Sequence, residues 1–313
     1  MMRTLLLAER PFRDLRSRAL LADLPQLLAA GEALLIPSDA PRWPPGFAAC
    51  PPAAAPATLG IARVVMAGCF TERAGFEAML ARAAGFVAVG ARLELRRLCL
   101  DGGVPRAEPP PAIGLLDAAS LIELRDHFSA DALLRWGVAA PFRIAPYPER
   151  TGPADPLLAE SLPRGPILGL SILGGGKARR VWQANAALLR ERLAAWQGRP
   201  VLPLPAEAPD AAFDELSAAT DFVADILPGA SILLPDLADP VWRRRQLTLP
   251  RLRGLVARCG LVAASQDLPA ALAIAAGVPV LGLAMAPERR IAICLSSLAN
   301  ELPPGSDLML LRA

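Results

Sequence analysis

Short apolar runs recur along this chain with room for about one helix between neighbours, and that alternation limits the fold more than any other feature. Ala33–Pro37, residues 62–67, residues 86–89 and Leu121–Leu124 read as parallel strands, while 76–84 and 130–136 show helical apolar spacing. After a Pro- and Gly-rich break the pattern restarts, with strands expected at 167–173, 200–205, 231–234, 260–264 and 278–283. Helices are expected at 181–196, 211–227, 249–258 and 269–276. Such βα alternation predicts an α/β protein with a doubly wound sheet, and it places a ligand beyond the C-terminal strand ends and in a cleft between the halves. The Pro-rich stretch 41–56 and residues 101–111 read as irregular surface loops.

With 313 residues and 53% hydrophobic content, the chain can bury two cores of ordinary size. One uncharged run, 268–287, is long enough to cross a bilayer. Pro269, Gly277, Pro279, Gly282 and Pro287 cut it into a short helix, a turn and a buried strand, so no transmembrane segment is expected. The N-terminal apolar run stops at Glu9 and Arg10 without a cleavage site, which predicts a cytoplasmic protein. Peripheral membrane contact stays open. Five scattered cysteines with no CxxC pair point to reduced thiols and to neither a disulfide frame nor a metal site. A net charge of +3, with arginines spread along the chain, implies no nucleic-acid partner.

The sharpest local motif is Gly174-Gly175-Gly176-Lys177-Ala178-Arg179-Arg180, between an expected strand and helix. Glycines let consecutive backbone N–H groups approach an anion, and a helix N-terminus adds its positive dipole end. Lys177 is the only lysine of the chain, where a compact ammonium replaces the planar guanidinium used elsewhere. The motif is neither a Walker A loop nor a GxGxxG fingerprint, and a plain strand-to-helix turn with a solvated basic tail is the competing reading. The lone histidine, His127, has no accompanying GxSxG nucleophile and reads first as a structural or surface residue. Asp210, Asp214 and Glu215 stand where a helix start favours acids. Arg243 to Arg245 most simply coat the approach to the helix at Leu249.

Two segments, LIELRDHFSADALLRWGV from Leu121 and CGLVAASQDLPAALAIAAGVPVLGL from Cys259, resemble stretches of the polysaccharide pyruvyl transferase family in order and spacing. The resemblance implies two Rossmann-like doubly wound domains facing a cleft, GT-B-like, with an acceptor-side domain at 1–150, a linker at 151–166 and a donor-side domain at 167–313. It implies transfer of a pyruvyl group from phosphoenolpyruvate to a sugar hydroxyl in surface-glycan biosynthesis, with a sugar or glycan-lipid acceptor and no cofactor. The family's Arg-Leu-His triplet is replaced by Gln266, Asp267 and Leu268, and its Asp-Pro-Lys by Ala286, Pro287 and Glu288 with Arg289 one place later.

On that footing, Gly174, Gly175, Gly176, Lys177, Arg179, Arg180 and Arg289 would hold the donor's phosphate. Asp267 would serve as acid-base group and Gln266 would orient substrate, with Arg125, His127, Ser265 and Glu288 as further candidates. Two other readings stand beside this one. In the first, a GT-B-type glycosyltransferase takes a nucleotide sugar, with Glu288 on the ribose. In the second, an inactive pseudoenzyme keeps the fold as a partner-binding module.

Overall fold

The computed structural model describes residues 3–8, 33–37, 47–50, 55–101, 104, 108–206, 214–285 and 290–312. The chain divides into two compact units, Met1–Pro148 and Glu149–Ala313. In the first, seven strands form one sheet: β1 (Arg3–Leu7), β2 (Ala33–Pro37), β3 (Phe47–Cys50), β4 (Ile61–Phe70), β5 (Arg92–Leu100), β6 (Leu121–Leu124) and β7 (Arg143–Ile144). All pairings are parallel and the order is β3-β2-β1-β4-β5-β6-β7. Parallel neighbours require crossovers, and the helices Arg73–Val87 and His127–Arg135 supply two of them. Phe76 of the first packs edge-on to Phe70 of β4 and stacks with Trp136, closing the core over the sheet.

The second unit contains β8 (Leu168–Ser171), β9 (Val201–Pro203), β10 (Leu261–Ala264), β11 (Val280–Met285) and β12 (Asp307–Leu311), again all parallel, in the order β12-β11-β10-β8-β9. A single bridge, Val201 to Ile232, extends the sheet beyond β9. Counting that bridge, both sheets follow the 3-2-1-4-5-6 order of a Rossmann-type sheet, the first with one more strand at its edge. The two expected doubly wound, Rossmann-like α/β halves are therefore present.

Several local expectations are corrected. Residues 86–89 are not a strand: Phe86 is buried in the last turn of the Arg73–Val87 helix, and Gly90, at φ 97°, ends that turn. The strand lies just beyond, in RLELRRLCL, where charge disguises it. Glu94 is buried there and ion-paired to Arg96 on its own strand and Arg63 on β4, so its charge stays neutralised inside the sheet. Within the expected 41–56 loop, Phe47–Cys50 pairs as β3. Residues 231–234 form only the bridge, because Leu234 turns into the left-handed region ahead of Pro235. The helix expected at 181–196 begins earlier and breaks at Asn185, whose side-chain amide donates to the carbonyls of Val181 and Arg312.

Residues 151–166, expected as a linker, run irregularly but are tied to the second unit. The Asp155 N–H donates to the Pro250 carbonyl and its carboxylate accepts from Arg251 at 3.0 Å. Arg253 donates to the carbonyls of Glu149 and Pro153, and Arg258 to that of Pro163.

Candidate functional site

In the second unit the strand order reverses between β8 and β10, whose ends pair Ser171 with Ala264. In open α/β sheets such a reversal is where a ligand crevice forms at the C-terminal strand ends. Both exits carry residues singled out from the sequence. From β8 the chain passes Leu173 and Gly174 to Gly175, which caps the Gly176–Ala184 helix at φ 97° with no side-chain cap. From β10 it passes Ser265 and Gln266 into the Asp267–Ala275 helix.

Ser265 holds the two exits together. Its N–H donates to the Ser171 carbonyl at 2.8 Å, and its hydroxyl accepts from the Leu173 N–H at 2.6 Å. The same hydroxyl lies 3.4 Å from the Ser171 carbonyl, to which it can donate. A short side-chain hydroxyl suits this place, since it can accept from one loop and donate to the strand below it.

The two helices that start here differ electrostatically. Asp267, 2% exposed, begins the second one and accepts the Leu268 N–H at 3.0 Å, so this helix starts on an acidic residue of its own. The Gly176–Ala184 helix has no acid in its first turn and presents Lys177 instead. Lys177 and Arg180 are exposed and make no ion pair among the described residues. Arg179 faces the other way, 3.0 Å from Asp221 and 3.4 Å from Asp225. The Asp225 carboxyl is held below its ordinary range, chiefly by the Trp182 indole N–H and further by Gln183 and Arg179. Of the basic residues in the motif, Lys177 and Arg180 are thus the ones left to meet a ligand.

Gln266 is the most informative residue of the crevice. It occupies the N-cap position, where a side chain can accept an N–H from the second or third helical residue. The third is Pro269, which has no N–H, and the second, Leu268, donates to Asp267 instead, so Gln266 makes no side-chain cap bond. Gln266 is 2% exposed, and among the described residues its Nε2 has no hydrogen-bond partner; nor has the buried Ser171 hydroxyl on β8. A buried donor of this kind can be completed by a ligand or a water molecule.

In the first unit, β6 runs into the His127–Arg135 helix through Arg125 and Asp126. Asp126 caps that helix by accepting the Ser129 N–H at 2.7 Å, and the Ser129 hydroxyl accepts the Leu100 N–H at 2.9 Å. Burial pushes the Asp126 carboxyl above its ordinary value, against the pull of Ser129, Arg125 and Cys99. Arg125 is fully buried with its guanidinium 4.1 Å above the Tyr147 ring, while His127 is exposed in the first turn. Asp214 caps the Glu215–Ile226 helix, and the Glu215 carboxylate accepts the Ala206 N–H, so both serve the backbone. Arg243 lies buried on the Pro240–Gln246 helix, 3.7 Å from Asp214. Asp210, Glu288 and Arg289 lie outside the described residues.

The chain matches no known protein-family description and no curated protein. Among solved structures it is similar to the E. coli ADP-heptose LPS heptosyltransferase II, at 12% identity over 99% of this chain and 90% of that one, with a TM-score of 0.44. It is also similar to S. aureus MnaA in a co-structure with UDP, at 10% identity over 92% of this chain and 80% of that one, with a TM-score of 0.48. At these scores the likeness carries no argument about chemistry, and the fold assignment rests on the strand orders given above.

Sequence reasoning found the glycine motif and the Ser265 to Asp267 stretch separately. It missed that β8 and β10 are neighbours, and it missed Ser171, which has no motif of its own.

Proposed function

We propose that the second unit binds the diphosphate of a nucleotide-activated sugar at the crevice between β8 and β10, and that the protein is a GT-B-type glycosyltransferase. The observation that carries this reading is the uncapped, acid-free start of the Gly176–Ala184 helix at the switch point of a Rossmann-ordered sheet. Backbone N–H groups of the glycine turn, the helix dipole and Lys177 would stabilise negative charge on the departing diphosphate. An acceptor hydroxyl would form a bond to the anomeric carbon and lose its proton, while the bond from that carbon to the diphosphate oxygen breaks. The orphaned Gln266 amide would donate to a polar group of the donor.

Pyruvyl transfer from phosphoenolpyruvate is the second reading, supported by the two family-like segments. It fits this unit less well, because Gln266, Asp267 and Leu268 replace the family's Arg-Leu-His and the unit contains no histidine. Calorimetric titration of the full chain with UDP, ADP, GDP, their sugar conjugates and phosphoenolpyruvate separates the two. Saturable binding of one nucleoside diphosphate, weakened about tenfold by Lys177→Ala, is the expected result. Binding of phosphoenolpyruvate alone would restore the pyruvyl reading, and binding of neither would leave a partner-binding role.

A further inference from the structure

β4 and β5 are adjacent parallel strands whose register shifts near their C-terminal ends: Ala67 faces Arg96, yet Cys69 faces Cys99. Over that interval β5 holds one residue more than β4, and the shift is taken up where Arg97 has φ 53° and Gly68 has φ 98°. A left-handed backbone at an arginine is an uncommon conformation that the surrounding structure must hold in place. Its consequence is specific. Without the extra residue Cys69 would face Leu98; with it, two thiols share one face of the sheet with their sulfurs 2.7 Å apart.

Neighbouring strands stand about 4.8 Å apart, within the range of Cα separations that a disulfide spans. Only a small further approach separates these sulfurs from the covalent length of about 2.05 Å. Cys99 is buried, whereas Cys69 is partly exposed and so offers a way in for a reagent. Cys99 also hydrogen-bonds to Asp126, the cap of the His127–Arg135 helix. The remaining cysteines have other surroundings: Cys50 receives Arg82, Cys259 faces the Leu255 carbonyl and Cys294 that of Asp267. Burial pushes the Cys259 thiol up to about 12, which keeps it inert.

We propose that Cys69 and Cys99 are a redox modification site, a dithiol that closes to a cross-strand disulfide when met by a small-molecule disulfide such as oxidised glutathione. The Cys69 thiolate attacks one sulfur of the reagent, forming a mixed disulfide and releasing one thiol. The Cys99 sulfur then attacks Cys69, and the second reagent thiol leaves. Two protons and two electrons pass from the pair to the oxidant. Closure removes the Cys99 hydrogen from Asp126 and ties the ends of β4 and β5 together beside that cap.

The reduced full chain, equilibrated with mixtures of oxidised and reduced glutathione, acid-quenched and alkylated under denaturing conditions, tests this directly. The expected product has two of its five thiols protected, the mass of two hydrogens lost, and Cys69 and Cys99 peptides joined until reductant is added. Cys69→Ser should leave Cys99 fully alkylatable, and Cys99→Ser should stop at a glutathione adduct on Cys69. If both cysteines of the native chain stay alkylatable in excess oxidised glutathione, or if either is joined to a different cysteine, the proposal is wrong.

Discussion

The Ser265 hydroxyl accepts the Leu173 N–H at 2.6 Å, tying the turn after β10 to the turn after β8. This bond crosses the point where the strand order reverses, so it sets the path of the glycine turn that follows. Ser265→Ala strands the Leu173 N–H in a part-buried place. The expected loss is about 1–3 kcal/mol in the unfolding free energy of the second unit. Urea denaturation of the variant against the native chain measures it, and an unchanged midpoint would show that the turn holds its path unaided.

Gln266 predicts the opposite trade. Among the described residues its buried Nε2 lacks a partner, so replacing that nitrogen breaks no hydrogen bond to them. Gln266→Met, of similar length and apolar, should leave the melting temperature equal or higher while weakening nucleoside diphosphate binding about tenfold, near 1.4 kcal/mol. Paired thermal melts and titrations read both quantities. A large loss of stability with intact binding would make the amide a structural group.

Asp126 and Asp225 respond to pH with opposite signs. Burial raises the folded-state Asp126 carboxyl above its ordinary 3.8, so the unfolded chain releases this proton first as pH rises. Stability contributed at this site therefore falls as pH climbs from 3.8 through the raised folded value. Asn caps a helix as well as Asp. Asp126→Asn should thus stabilise the first unit at pH 7 and flatten that part of the profile. Asp225, held below its ordinary 3.8 by the Trp182 indole first and by Gln183 and Arg179 after it, gives stability present above that value and lost as pH falls through the folded one. Denaturation midpoints from pH 3 to 8 for Asp126→Asn and Asp225→Asn check both slopes.

The two family-like segments show why the fold was more legible than the site. Residues 121–138 and 261–278 turn out to be the same local device: a four-residue strand, a two-residue turn, a nine-residue helix and a left-handed glycine, Gly137 or Gly277, before a valine. In each, the glycine and valine N–H groups return to carbonyls of the last helical turn. Periodicity, caps and glycines are local chemistry, and they carried the βα order in both halves. They carry no information about which side chain meets a substrate. Strand β5 escaped notice because Glu94 and its arginines neutralise one another only once β4 lies alongside. The Ser171, Ser265 and Gln266 grouping likewise exists only after β8 and β10 pair across more than ninety residues.

Gly254 tests whether residues 151–166 belong to the second unit. A Cβ at that position would lie 2.3 Å from the Asp155 carbonyl oxygen, a backbone atom that cannot swing aside as a side chain can. The closeness exists because the Asp155 N–H reaches the Pro250 carbonyl and Arg251 grips the Asp155 carboxylate. Gly254→Ala must therefore push the 153–156 backbone off the Leu249–Val256 helix or distort the helix. Overpacking of this kind costs about 1–3 kcal/mol, against a small gain in helix propensity. Limited proteolysis should then cut within 151–166 several times faster than in the native chain, while sites inside β10 and β11 stay protected. If the cutting rate does not change, the segment is held by contacts other than the one through Gly254.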